Sequence, residues 1–394
     1  MRNMEQFISP KKIYHGAGSL TNLKDILKDL QAKRVYLLSD PIVKELGVIQ
    51  PILSIIEELN IGIQLDINVV PEPSIEVGNQ VVSKIRKYNP CLVIGVGGGS
   101  AIDLAKAAAV LVENEGWIED YLNLSGTKKL SKKGLQKILI PTTSGTGAEV
   151  TDIAVFSLEE TKDVITHEYL LADYAIVDSS LTYTLPPRVT AASGIDAFTH
   201  ALEAYTSKNA TPLTDILALE AMRKIIGSIR TAVENGQDRP AREQMSLASL
   251  LAGLSFFNAG VAGVHGLAYP LGGLYKIPHG ESNAVLLPYV YDYIWPACLE
   301  KIMAVADLFS ITSKGKSEKE IAQEVVHCLL DLVQDVGLPT TLSAYNIQRK
   351  DIKRLAENGI KQKRLLNRSP KEFTIEAIQQ IYVKAYEGDI TKDN

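Results

Sequence analysis

Cys91-Leu92-Val93-Ile94-Gly95-Val96-Gly97-Gly98-Gly99-Ser100 is the stretch whose reading decides the fold. Its first six residues are apolar or small without a break, the pattern of a parallel strand buried on both faces. The three glycines end that strand and lead into a helical pattern over 101–112. Backbone approaches a pyrophosphate closely only where side chains are missing, and a helix start offers free N–H groups and a favourable dipole. The run is not Gly-x-Gly-x-x-Gly, so the ordinary dinucleotide motif is absent, and a plain tight turn is the competing reading.

Outward from this unit, strand patterns recur at 34–39, 63–70, 137–140 and 175–177. Between the second of these and Cys91, residues 75–88 carry apolar positions at helical spacing behind Ser74, a suitable N-cap. Strands alternating with helices indicate βαβ units around a mostly parallel sheet. Beyond Leu185-Pro186-Pro187 the character changes. Stretches 190–205, 212–229, 242–257, 299–309, 318–336 and 373–386 read as helices, and no further strand is read. The expected fold is an α/β N-terminal dinucleotide-binding domain over 1–184 and an all-α C-terminal metal-binding domain over 185–394.

A second loop, Pro141-Thr142-Thr143-Ser144-Gly145-Thr146-Gly147-Ala148-Glu149, follows strand 137–140 and offers hydroxyls and glycines in one turn. Two such loops after parallel strands point to a ligand beyond the carboxyl edge of the sheet. Asp40 ends an earlier strand. A carboxylate there accepts from ribose hydroxyls and repels a 2′-phosphate; the plain alternative is a turn-forming Asp before Pro41.

Three of the six histidines, His200, His265 and His279, fall in one region with Asp196. Asp196 and His200 are spaced i,i+4 and share one face of a helix. Alone, that pair is a surface hydrogen bond. With two further histidines in Gly-flanked, apolar surroundings it reads as a site for a catalytic divalent metal.

Composition limits the alternatives. A chain of 394 residues with 46% hydrophobic residues buries a substantial core, and a net charge of -5 weighs against a nucleic-acid or membrane-surface partner. Cys91, Cys298 and Cys328 form neither a disulfide framework nor a zinc–cysteine motif. No apolar leader opens the chain and no membrane-length apolar run occurs, so the expected location is the cytoplasm.

Taken together, Pro10 to Gly18, Gly97 to Asp103, Pro141 to Glu149, Ala175 to Asp178, Leu185 to Arg188, Gly194 to Tyr205 and Pro270 to Gly280 resemble the iron-containing (group III) alcohol dehydrogenases, relatives of the dehydroquinate synthase-like fold. The resemblance implies a metal-dependent, NAD(P)-linked oxidoreductase that interconverts a small alcohol and its aldehyde or ketone, working as a homo-oligomer, a dimer or higher. By motif position it makes Asp196, His200, His265 and His279 the metal ligands, for Fe²⁺ with Zn²⁺ as the alternative. It assigns Gly97, Gly98, Gly99, Ser100, Asp103, Thr142, Thr143, Ser144, Thr146 and Lys162 to the cofactor. Asp40 stands where an acidic residue goes with NAD rather than NADP.

One position departs from the family. Many members carry a further histidine four residues after the third ligand, and here that residue is Tyr269. It joins His265 and His279 as a candidate catalytic position. The run His265-Gly266-Leu267-Ala268-Tyr269-Pro270 looks more like the hydroxyacid–oxoacid transhydrogenase branch, which keeps a hydroxy-acid substrate open, and the nearest rival within the fold is a glycerol-type polyol dehydrogenase. A non-haem Fe(II) oxygenase is the rival from another class; it needs neither phosphate-type loop.

Overall fold

The computed structural model describes residues 6–159 and 161–390. Two compact units emerge, one formed by Ile8–Leu158 with Lys162–Leu185 and the other built mainly from Pro186 onward. The expected classes hold: the first unit is α/β and the second is helical.

The first unit holds strands β1 (Lys12–His15), β2 (Arg34–Leu38), β3 (Gly62–Asp66), β4 (Leu92–Gly97), β5 (Gln136–Pro141), β6 (Ile153–Ser157), β7 (Lys162–Thr166) and β8 (Tyr174–Val177). Its helices are α1 (Asn22–Asp29), α2 (Pro41–Glu45), α3 (Gln50–Glu58), α4 (Ile75–Tyr88) and α5 (Gly99–Leu111). Six strands form one parallel sheet in the order β1-β8-β5-β4-β2-β3, while β6 and β7 pair antiparallel. Side chains alternate across the sheet, as the period of two demands. Val35 and Leu37 pack with Leu23 and Ile52 on one face, and Tyr36 and Leu38 pack with Val82 and Ala105 on the other. From β2 the chain turns to β3 on one side and then to β4 on the other. The reversal between β2 and β4 is a topological switch point, where such sheets bind ligands beyond their carboxyl ends.

Ser74 caps α4 as expected, accepting from the Val77 N–H. The strand expected over 63–70 stops at Asp66, because that carboxylate accepts from Asn68 N–H and Asn68 Nδ2 and turns the chain. The edge strand β1 and the β6–β7 pair were not anticipated.

The second unit comprises α6 (Pro187–Thr206), α7 (Pro212–Glu234), α8 (Arg239–Ala259), α9 (Gly263–Tyr275), α10 (His279–Ile294), α11 (Leu299–Leu308), α12 (Glu318–Asp335), α13 (Ile352–Gly359), α14 (Lys363–Leu366) and α15 (Ile375–Glu387). One continuous core joins them through Phe198, Met222, Met245, Leu271, Leu287, Leu329 and Tyr382, among others. Two helices missing from the sequence reading, α9 and α10, carry two of the three site histidines. Helix α9 continues through Pro270. Among the described residues no single helix is long and apolar enough to cross a membrane.

Candidate metal centre and nucleotide loops

Helix α6 begins at Pro187, whose missing N–H costs nothing at that position, and it buries every residue from Gly194 to Thr206. Asp196 and His200 lie on one face of it and are 2% and 5% exposed. His265 sits in the first turn of α9 and His279 opens α10. Gly280 makes this assembly possible: a Cβ there would lie 2.3 Å from Ala192 O, so only glycine lets the start of α10 rest on α6.

One donor atom from each of Asp196, His200, His265 and His279 lies within 4.8 Å of the other three. His265 Nε2 is 3.0 Å from His200 Nε2, and Asp196 Oδ1 is 3.7 Å from His265 Nε2 and 3.6 Å from His279 Nε2. Ligands about 2.1 Å from one ion are spaced ~3.0–3.4 Å apart, so the cluster has the span of a coordination shell. Two imidazole nitrogens this close repel as lone pairs unless a proton or cation sits against them. The donor set fits a divalent ion of borderline softness.

Two residues the sequence reading missed hold this cluster. Asn283 donates through Nδ2 to Asp196 Oδ1 at 2.7 Å. Glu203, 1% exposed, meets His265 Nδ1 at 2.5 Å with one oxygen and accepts from Val264 N–H at 2.6 Å with the other. The signal was present: Asp196, His200 and Glu203 are spaced i, i+4, i+7, and His279 and Asn283 i, i+4, polar stripes on apolar helices. Burial pushes the Asp196 carboxyl up, but the surrounding imidazoles of His200, His279 and His265 and the Asn283 amide more than offset it and hold it below its ordinary value.

Around the imidazoles the walls are apolar. The Phe256 ring stacks on His200 with centroids 4.2 Å apart, and the Tyr269 ring lies 6.2 Å from His279. Tyr269 and Phe256 form a small cluster of their own with Ala204, Ala259, Val261 and Leu365. The two cations nearest in sequence are engaged elsewhere: Arg188 grips Glu281 at 2.7 and 2.8 Å, and Lys276 donates to Gly273 O.

In the first unit, Asp40 follows β2 and the glycines follow β4, the two strands of the switch point. Asp40 Oδ1 caps α2 through Val43 N–H, and Oδ2 lies 3.2 Å from where a Cβ on Gly97 would be. The hydroxyl loop packs directly on the glycine loop: a Cβ on Gly98 would touch Thr143, and one on Gly99 would come within 3.0 Å of Thr146. Thr142 is 2% exposed and its Oγ1 makes no hydrogen bond with the described residues. A side-chain-free cradle at a helix start beside an unsatisfied hydroxyl suits a phosphate-bearing ligand.

Other expected cofactor positions have protein partners. Both Asp103 oxygens are taken, one by Lys106 Nζ at 2.8 Å and one by Val155 N–H at 3.0 Å, so Asp103 ties α5 to β6. Lys162 Nζ is 2.8 Å from Glu72 Oε1, and the Glu72 N–H donates to Ser100 Oγ.

The sequence profile described as "Iron-containing alcohol dehydrogenase" matches residues 10–179, and that of the "Fe-containing alcohol dehydrogenase family, C-terminal" matches residues 190–386. The chain belongs to the iron-containing alcohol dehydrogenase family. This family uses NAD(P) and a metal and acts on small alcohols and aldehydes. The chain is 50% identical over 390 residues to the "Long-chain-alcohol dehydrogenase 1" of Geobacillus thermodenitrificans, covering 99% of each. The crystal structure of a 1,3-propanediol oxidoreductase superposes with a TM-score of 0.93 at 32% identity, over 98% of this chain and 100% of that one. A sulfoacetaldehyde reductase from Bifidobacterium kashiwanohense, solved in complex with NAD+, gives 0.83 at 26% identity, over 98% and 100%.

Proposed function

We propose that this iron-containing alcohol dehydrogenase family member oxidises primary alcohols with an apolar chain, and reduces the matching aldehydes, using NAD and a divalent ion held by Asp196, His200, His265 and His279. The observation that carries the reading is the four-donor cluster, in which Asp196, His200 and His265 are buried and His279 is half-buried. Asp196 and Glu203 are two buried carboxylates with no lysine or arginine paired to either among the described residues. Uncompensated buried charge is costly, and two such charges match one divalent cation. Fe²⁺ is the ion we favour, with Zn²⁺ also suited to this set.

When bound, the cation supplies Lewis acidity toward the alcohol or carbonyl oxygen, and the nicotinamide supplies the hydride acceptor or donor. The chain does the positioning. Asn283 and Glu203 fix Asp196 and His265, Phe256 and Tyr269 exclude water beside the imidazoles, and the glycine loop leaves room for the pyrophosphate. The Asp40 carboxylate favours NAD by repelling a 2′-phosphate. The apolar cluster around Tyr269 favours an alkyl chain over the carboxylate of a hydroxy acid, which would call for a cation at that wall.

The test is formation of NADH at saturating coenzyme across primary alcohols of increasing chain length, hydroxy acids and polyols, on protein reconstituted anaerobically with Fe²⁺ or Zn²⁺. We expect turnover with the alcohols, rising with chain length, and loss of both metal and turnover in His265→Ala. Turnover confined to hydroxy acids overturns the substrate reading, and full metal content in His265→Ala overturns the ligand set.

A further inference from the structure

Glu203 takes no part in the four-donor cluster, yet it is less exposed than any of the four donors. It stands two helical turns beyond Asp196 on α6 and makes two contacts, both to the first turn of α9. Its Oε1 accepts from Val264 N–H, one of the N–H groups that a helix start leaves without an internal partner. Its Oε2 faces His265 Nδ1. A carboxylate only accepts, so the imidazole carries its proton on Nδ1 and presents the Nε2 lone pair to the cluster, 3.0 Å from His200 Nε2. The same two contacts fix the rotation of the ring, since the residue that orients His265 is tied to the backbone one position before it.

We propose that Glu203 is a positioning residue for the metal centre. It sets the tautomer and plane of His265 and places a second negative charge behind the donor set. The inference deepens the metal reading of the same site and rests on it. A carboxylate behind a ligating imidazole raises its basicity, and losing such a partner typically weakens metal binding by ~10–100-fold. A helix cap alone would change stability and leave the ion's surroundings untouched.

The discriminating experiment is titration of the metal-free full-length protein with Co²⁺, followed by its visible absorption, and with Zn²⁺ against a chelating indicator. Glu203→Gln keeps the size and removes the charge. Its amide N–H₂, turned toward Nδ1, would favour the wrong tautomer. We expect Co²⁺ and Zn²⁺ affinity to fall at least tenfold and the Co²⁺ spectrum to change in energy or intensity, while the far-ultraviolet circular dichroism of the metal-free protein stays that of the parent. A parental spectrum and parental affinities in Glu203→Gln overturn the proposal and leave the four ligands standing. Failure of the parent itself to bind Co²⁺ or Zn²⁺ overturns the metal reading instead. Should Glu203→Gln not fold, Glu203→Asp decides the matter: it keeps the charge but cannot span both contacts, so its Co²⁺ spectrum must differ from the parent's, and identity with the parent overturns the proposal.

Discussion

Asp40 illustrates how one side chain meets a structural and a chemical demand. One oxygen caps α2, and the other is held against the glycine loop. Glycine is an acceptable N-cap, so Asp40→Gly costs only a few tenths of a kcal/mol in the cap while removing the charge. Relief of repulsion of about 1–3 kcal/mol predicts that the ratio of kcat/KM for NAD over NADP falls by roughly 5- to 150-fold. A parent enzyme that already prefers NADP would refute this account of the strand end. Tyr269 is a second residue whose chemistry can be separated from its packing. Its ring is buried beside His279 and helps build the apolar wall. Tyr269→Phe should preserve that wall and the melting temperature to within a few degrees while changing kcat or the ranking of alcohols several-fold. An unchanged profile would make the hydroxyl irrelevant to the reaction.

At the scale of elements, the turn Ala148–Val150 at the end of the hydroxyl loop buries Glu149, and burial pushes its carboxyl up to about 7 against the opposing pull of its own N–H and Lys106. Folding raises this pKa, so the folded state holds the proton more tightly than the unfolded chain. The contribution to stability is complete below about 4.5 and is lost as pH rises through about 7. Glu149→Gln should therefore flatten the fall in stability between pH ~5 and ~8 by on the order of 1–3 kcal/mol, measured by urea unfolding across that range. Identical slopes would show that Glu149 does not titrate there. The central strands were legible because β4 and β5 are buried runs with one period. The edge strand β1 has four residues with exposed ends and no such signal. Helices α9 and α10 were illegible for a different reason. Helix α9 contains Gly263, Gly266, Gly272, Gly273 and Pro270, all poor helix formers, and its stability comes from tertiary contact. A Cβ on Gly263 would strike Phe373 at 2.4 Å, so the glycines are there for close packing. The four residues of the donor cluster were readable from residue type and spacing. Glu203 was passed over because its partners lie on α9, and Asn283 because it lies on α10 itself.

At the scale of the molecule, the metal ligands and the residues that hold them all fall within the unit from Pro186 onward. An ion that binds only the folded form stabilises it by ~2.7 kcal/mol at a hundredfold excess over Kd. Calorimetry should show a metal-dependent rise of roughly 5–10 °C, at ~2–4 °C per kcal/mol for a unit of this size. The rise should vanish in Asp196→Ala, and its persistence there would place the ion elsewhere. The residues proposed for the nucleotide, by contrast, run from Asp40 to Lys162, with the Leu185–Pro186 junction between them and the four-donor cluster. On the proposed assignment, coenzyme preference and metal demand are separately heritable. A recombination crossover at Pro186 with a relative of opposite coenzyme preference would pass on one trait without the other, so a lineage could exchange its redox currency while keeping its metal.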